Sequence, residues 1–375
     1  MIGALIATPS VSSVTPEHDM SNRPLVDLLA GWLESAGFAV EVLPIETAPG
    51  KFNVIGTLGR GDGGLVLSGH TDTVPYDGAL WRSDPFKLRQ ADERLYGLGA
   101  ADMKSFFAFA IDAALQFRAS DLQRPLIIVG TADEESGMCG GRALVNSGVR
   151  GGRHVVIGEP TRMRPVRMHK GIIMEGIHVL GKSGHSSQPA LGANALEGMH
   201  AIMSMLLAYR DELASIHRHD GFEVPTPTLN LGSIRGGDNP NRICGDCDLH
   251  IDVRTLPGMS IAAVREEIQR RCRETLAGTA FELEFTRLFE GIDAMETPAE
   301  ATLVTAAERL TGAGAEAVSF GTEAPFFREL GLETIILGPG DIRQAHQPDE
   351  YLGLDMIAPA QATFRQLIHE LCVQD

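Results

Sequence analysis

The sequence predicts an α/β fold: a mixed-sheet domain into which a smaller α+β domain of ferredoxin-like order is inserted. Two observations carry this. Four short apolar runs, 65–67, 126–131, 155–158 and 334–337, have the length and composition of strands buried on both faces. Each leads into an acid or a histidine, and ligands of open α/β sheets bind at that carboxyl edge. Between residues 170 and 290 the pattern changes to strand, helix, strand, strand, helix, strand, which is the βαββαβ order. A chain of 375 residues also exceeds the usual single core. The expected organisation is therefore a first domain in two parts, 1–169 and 291–375, with 170–290 inserted between them.

Residues 23–37 carry Leu25, Leu28, Leu29, Trp32 and Leu33 at helical spacing and stop at Gly37, where a left-handed residue costs little. Extended segments at 39–43 and 53–58 follow, then a glycine-rich turn at 61–64 and the buried run ending in Ser68-Gly-His-Thr-Asp72. His70 and Asp72 are two residues apart in extended chain, so their side chains leave on one face. Residues 75–99 read as a loop anchored by Trp81, Pro85 and Phe86. A helix of about 15 residues is expected to open at Ala100, which puts Asp102 at its N-terminus, where the macrodipole favours a negative group. The run 126–131 ends in Ala132-Asp-Glu-Glu135, three acids that repel one another unless cations or hydrogen bonds compensate. The run 155–158 ends in Glu159, and the run 334–337 leads to His346.

In the insert the expected elements are strand 171–181, helix 194–215, strands 228–234 and 243–254, helix 261–276 and strand 281–288. Two helices and a strand then complete the first domain. No internal repeat or low-complexity tract interrupts the chain.

Lys plus Arg number 32 against 49 Asp plus Glu, a net charge of −17. That argues against a surface tracking nucleic-acid phosphates, which needs basic patches. The five cysteines are scattered and odd in number, as expected of reduced thiols in a cytoplasmic protein. Cys244 and Cys247 form a C-x-x-C without a second pair and read as strand residues. The N-terminus has no convincing signal peptide, and no stretch of about 18 apolar residues suggests a membrane span. Gly176–Ser183 matches G-x-x-x-x-G-K-S, but its bulky β-type middle cannot cradle phosphates and no helix follows. Gly97-Leu-Gly99 lacks the third glycine and the preceding strand of a dinucleotide fingerprint.

Gathered at strand ends are His70, Asp102, Glu135, Glu159 and His346, with Glu134 in addition. Two histidines and three carboxylates suit two zinc-like ions with one carboxylate shared. Glu134 would then be free to take a proton from water, and the chemistry implied is hydrolysis of an amide.

The stretches Ser68–Pro75, Leu95–Lys104, Thr131–Glu135, Ile157–Thr161, Ser183–Ser187, Pro227–Gly232, Asn241–Cys244, Leu337–Gly340 and Gln344–Tyr351 resemble the dinuclear zinc M20 metallopeptidase and deacylase family over nearly the whole chain. The resemblance implies one metal on His70 and Glu159, another on Glu135 and His346, and Asp102 bridging them. Zinc is the expected ion, with cobalt tolerated. It implies Glu134 as general base and then acid, Asp72 as the residue orienting His70, and a cis peptide after Asp102. It further implies that the insert is a dimerisation and lid domain and that the working form is a homodimer. His185 of one subunit would then donate to the oxyanion in the partner's site. Arg254 and Asn241 would contact the substrate carboxylate. The substrates implied are N-acylated amino acids, among them the N-acetyl derivatives of ornithine and citrulline and N-succinyl-diaminopimelate.

Overall fold

The structure, a computed structural model, describes residues 1–374. The chain forms two compact units. One comprises Met1–Arg167, Thr297–Glu316 and Thr322–Asp375; the other comprises Met168–Glu296 and the short segment Ala317–Gly321.

The first unit is built on a mixed sheet. Its strands lie in the spatial order Ala39–Pro44, Phe52–Leu58, Leu126–Thr131, Gly64–His70, Gly152–Ile157 and Glu333–Ile336. The last four run parallel, and the first two add antiparallel pairs at one side. Gly64–His70 is flanked by parallel neighbours on both sides and every residue in it is buried, so it reads as a continuous apolar run rather than an alternating one. Close approach dictates its glycine at position 64: a Cβ there would meet the Pro125 carbonyl oxygen at 1.9 Å.

Helix Ser105–Ala114 is buried along almost its whole length and packs against helix Ile357–Ile368. The rings of Phe106 and Phe364 meet edge to face at 5.4 Å. Each such side chain contributes roughly 1.5–3 kcal/mol through burial, which anchors the strand ends beneath the site.

Three features of this unit differ from expectation. The helix begins at Ser105 rather than at Ala100, so Asp102 sits in a turn and not at a helix N-cap. The backbone N–H groups of that turn are satisfied by the Glu350 carboxylate, which removes the need for a helical start. The peptide between Asp102 and Met103 is cis, as the resemblance implies. The segment 75–99 is not all loop: Arg89–Ala91 and Arg94–Tyr96 form a hairpin, and Tyr351–Gly353 adds a third strand. Strands of three residues are too short to show a two-residue period. A further helix, Ile357–Ile368, follows the two that were expected.

The second unit has a four-stranded antiparallel sheet in the order Thr228–Gly236, Asp246–Thr255, Gly171–Leu180, Glu282–Ile292. Helices Ala195–Ile216 and Ile261–Thr275 pack on it around Ile177, Val179, Ile202, Leu206, Leu249 and Ile268. In chain order the strands read 2-3-1-4, the ferredoxin-like arrangement. The strand expected over 243–254 is broken at Cys244-Gly245; the piece Arg242–Ile243 pairs instead with Gly184–His185. Both cysteines are buried free thiols. Burial pushes the Cys247 thiol up to about 11, the reverse of what thiolate chemistry needs. Among the described residues no helix is long and apolar enough to cross a membrane.

Candidate metal centre

Five chain segments deliver the cluster. The strand Gly64–His70 ends on His70, Leu126–Thr131 runs into Glu134 and Glu135, Gly152–Ile157 runs into Glu159, and the turn before Ser105 carries Asp102. His346 comes from the segment after Glu333–Ile336, with its backbone in the left-handed region at φ 59°. Parallel strands bring their carboxyl ends to one edge, which is why residues so distant in the sequence meet.

Asp102 lies between the two histidines. Its Oδ1 is 3.1 Å from His70 Nε2 and its Oδ2 is 3.6 Å from His346 Nε2. His70 Nε2 is also 3.8 Å from Glu159 Oε1, and His346 Nε2 is 3.0 Å from Glu135 Oε2. Two overlapping sets of donor atoms are each compact enough for one ion: His70, Asp102 and Glu135, and His70, Glu134 and Glu159. Glu134 thus stands close enough to act as a donor itself.

His70 is oriented from behind. Its Nδ1 lies 3.0 Å from the main-chain carbonyl of Asp72, while the Asp72 carboxylate is farther, at 3.6 Å. Nδ1 therefore carries the proton and Nε2 is free to ligate. The Asp72 carboxylate accepts the backbone N–H groups of Glu134 and Glu135 at 3.2 and 3.1 Å. Asp72 thus aligns the neighbouring acids as well as the imidazole.

The electrostatics show a set competing for positive charge. Burial, followed by the Glu159 and Glu135 charges, holds Glu134 well above the usual carboxylate range, against the pull of His70. Burial and the Asp102 charge raise Glu159 and Glu135. The hydrogen bond to Glu135 raises His346 to about 9. For Asp102, burial is outweighed by its hydrogen bond to His70 together with the charges of both histidines, and it stays low. Buried acids pushed toward protonation, beside imidazoles that those acids draw toward the cation, mark a set short of positive charge, which divalent cations supply. The donor set, imidazole nitrogen with carboxylate oxygen, fits ions of borderline softness.

The remaining sequence-predicted residues belong to the second unit. His185 is exposed; its Nδ1 accepts from the Ser187 N–H at 3.2 Å and lies 2.8 Å from the Ser187 hydroxyl. Asn241 is exposed, and its carbonyl accepts from the Ser186 N–H at 3.0 Å. Arg254 Nε donates to Asp252 Oδ1 at 2.9 Å.

Sequence reasoning missed two buried acids of the first unit. Glu350 accepts three backbone N–H bonds from the Asp102 turn. Glu323 Oε2 lies 2.6 Å from the Thr131 hydroxyl at the end of the strand Leu126–Thr131. Glu350 stands in Pro348-Asp-Glu-Tyr351 and Glu323 just before Ala324-Pro-Phe-Phe327. Both look like ordinary turn acids, and only burial distinguishes them.

A family model described as peptidase family M20/M25/M40 matches residues 66–370. The chain belongs to that family. A relative from Pasteurella multocida named acetylornithine deacetylase is 45% identical over 99% of this chain and 97% of its own length. A relative of the same name from Edwardsiella ictaluri is 47% identical over 98% and 96%. Among solved structures, an M20 family metallo-carboxypeptidase from Sulfolobus solfataricus matches with a TM-score of 0.77 at 18% identity, covering 98% of this chain and 97% of its own. A dinuclear metal binding peptidase of the M20 family from Bacillus subtilis matches at 0.69 and 17%, covering 99% and 96%. These last two share the fold of this chain.

Proposed function

We propose that the chain removes the acetyl group from N2-acetyl-L-ornithine, giving L-ornithine and acetate, a cytoplasmic step of arginine synthesis. The observation that carries the hydrolytic reading is Asp102, buried between His70 and His346 with one oxygen turned to each. Identity of 45–47% to acetylornithine deacetylases over nearly the full length supports the substrate. The free thiols suit the compartment.

Two divalent cations, zinc or alternatively cobalt, would be held by His70 and Glu159 and by Glu135 and His346, with Asp102 common to both. When bound they supply Lewis acidity, polarising the amide carbonyl and acidifying water. Glu134 accepts the proton of the attacking water as its oxygen bonds to the carbonyl carbon. The same carboxyl then protonates the amine nitrogen as the C–N bond breaks, and the products are a carboxylate and a free amine. Burial suits it to this work by raising its proton affinity. His185 acts on the developing oxyanion of the partner subunit in a homodimer. Since its Nδ1 accepts from Ser187, its Nε2 carries the hydrogen needed for donation. Arg254 and Asn241 receive the substrate carboxylate, for which a guanidinium fork is suited.

The test is a panel of N-acyl amino acids assayed on metal-reconstituted protein: the N-acetyl derivatives of ornithine and citrulline, and N-succinyl-diaminopimelate. N2-acetyl-L-ornithine should give the highest kcat/KM. A higher value for either of the others transfers the assignment to that substrate, and turnover that survives chelation rejects the metal reading.

A further inference from the structure

The turn that carries Asp102 is neither strand nor helix, yet its carboxylate must present oxygens in two directions at once. The chain holds this turn through one distant side chain. Glu350 Oε1 accepts from the N–H groups of Ala101 and Asp102 at 2.7 and 2.9 Å, and Oε2 accepts from Gly99 at 3.0 Å. The Glu350 carbonyl accepts a fourth bond, from Gly97 N–H, also at 3.0 Å. Glu350 is 1% exposed, so water does not share these bonds. Three N–H donors spread over four residues of backbone converge on its two oxygens.

Glu350 also lies four positions after His346, on the segment that continues into the strand Tyr351–Gly353 paired with Arg94–Tyr96. The residue that grips the Asp102 turn is thus part of the segment that brings His346. This junction joins the two segments whose side chains stand 3.6 Å apart, Asp102 Oδ2 to His346 Nε2. Glu350 itself is in neither of the compact donor sets found among the described residues.

We infer that Glu350 is a positioning residue for the metal centre: its carboxylate fixes the Asp102 turn against the His346 segment so that Asp102 can serve both ion positions. This rests on the metal reading given above. The Glu350→Gln side chain has nearly the same shape, but its Nε2 would direct hydrogens at a backbone N–H, so at least one bond is replaced by a clash of donors. Glu350→Asp keeps the carboxyl group and withdraws both oxygens by one carbon. Leu352→Ala is the control, because Leu352 is fully buried in the adjoining strand and its apolar side chain supplies no hydrogen bond to the turn.

The experiment titrates metal-stripped, full-length protein with Zn²⁺ against a chromophoric chelator and records Tm alongside. Glu350→Gln should weaken binding of at least one equivalent tenfold to a hundredfold, about the range for residues that orient ligands. Glu350→Asp should weaken it in the same direction, and Leu352→Ala should lower Tm while leaving metal affinity at the wild-type value. Wild-type affinity in both Glu350 variants overturns the positioning role alone. So does an equal loss in Leu352→Ala, which would make the effect one of general stability. A wild-type chain that takes up no Zn²⁺ removes the metal reading and this inference with it.

Discussion

His346 Nε2 lies 3.0 Å from Glu135 Oε2, although the two residues are 211 positions apart in the chain. His346 also faces Asp102 Oδ2, so one imidazole closes one side of the cluster. His346→Ala should cost one of two bound cations and lower kcat/KM roughly a hundredfold or more, beyond the effect of losing an outer partner. Metal analysis of dialysed protein, with the assay, checks this; two cations retained at wild-type affinity would exclude the residue as a ligand.

Glu134 is close enough to His70 and Glu159 to ligate, yet its assigned work is proton transfer. Glu134→Gln should keep both cations and lose about 10²–10⁴ in kcat. Loss of a cation from the variant would make Glu134 a ligand instead of the base.

His185 stands in the second unit with its Nδ1 engaged locally. His185→Ala should lower kcat by about 10²–10³, the range for removing one oxyanion donor, with metal content unchanged. Mixing it with a Glu134→Gln chain should restore part of the activity if each histidine serves the partner's site; no recovery in mixed dimers would reject the shared arrangement.

Glu323 gives a pH-dependent test of stability. Thr131 Oγ1 has one proton and lies 3.2 Å from the Gly69 carbonyl and 2.6 Å from Glu323 Oε2. Both contacts are satisfied when Glu323 is neutral and donates to Thr131, which then donates to Gly69. Burial raises Glu323 to about 7. The folded chain therefore holds this proton more tightly than the unfolded one, and stability falls as pH rises from about 4.5 to about 7. Glu323→Gln, able to donate without ionising, should remove that dependence. Relative to wild type it should gain on the order of 3 kcal/mol or less above pH 7 and little at pH 4. A parallel pH dependence of Tm in both proteins would show that Glu323 does not titrate in this window.

His70 is legible because an apolar run precedes it and Asp72 follows at a strand's two-residue spacing, so local signals agree. The insert is legible for a similar reason: Asp246–Thr255 alternates buried and outward residues along its length. Asp102 is harder, because its turn is shaped by a carboxylate 248 positions away and the nearby sequence favours a helix from Ala100. Glu350 leaves no trace of its role, since its partners are backbone groups that every residue type carries. The strand 243–254 was expected to be continuous because nothing in Cys244-Gly245 announces that the chain turns there to pair Arg242–Ile243 with His185.

The unit Met168–Glu296 is interposed between Glu159 and His346 in the chain. During synthesis from the N-terminus, the four acids and the first imidazole leave the ribosome well before the second. Until His346 and Glu350 emerge, the nascent chain holds an acid-rich sheet edge with one ring and an untethered Asp102 turn. Maturation of the centre thereby waits on the intervening unit, which has had the chance to fold first.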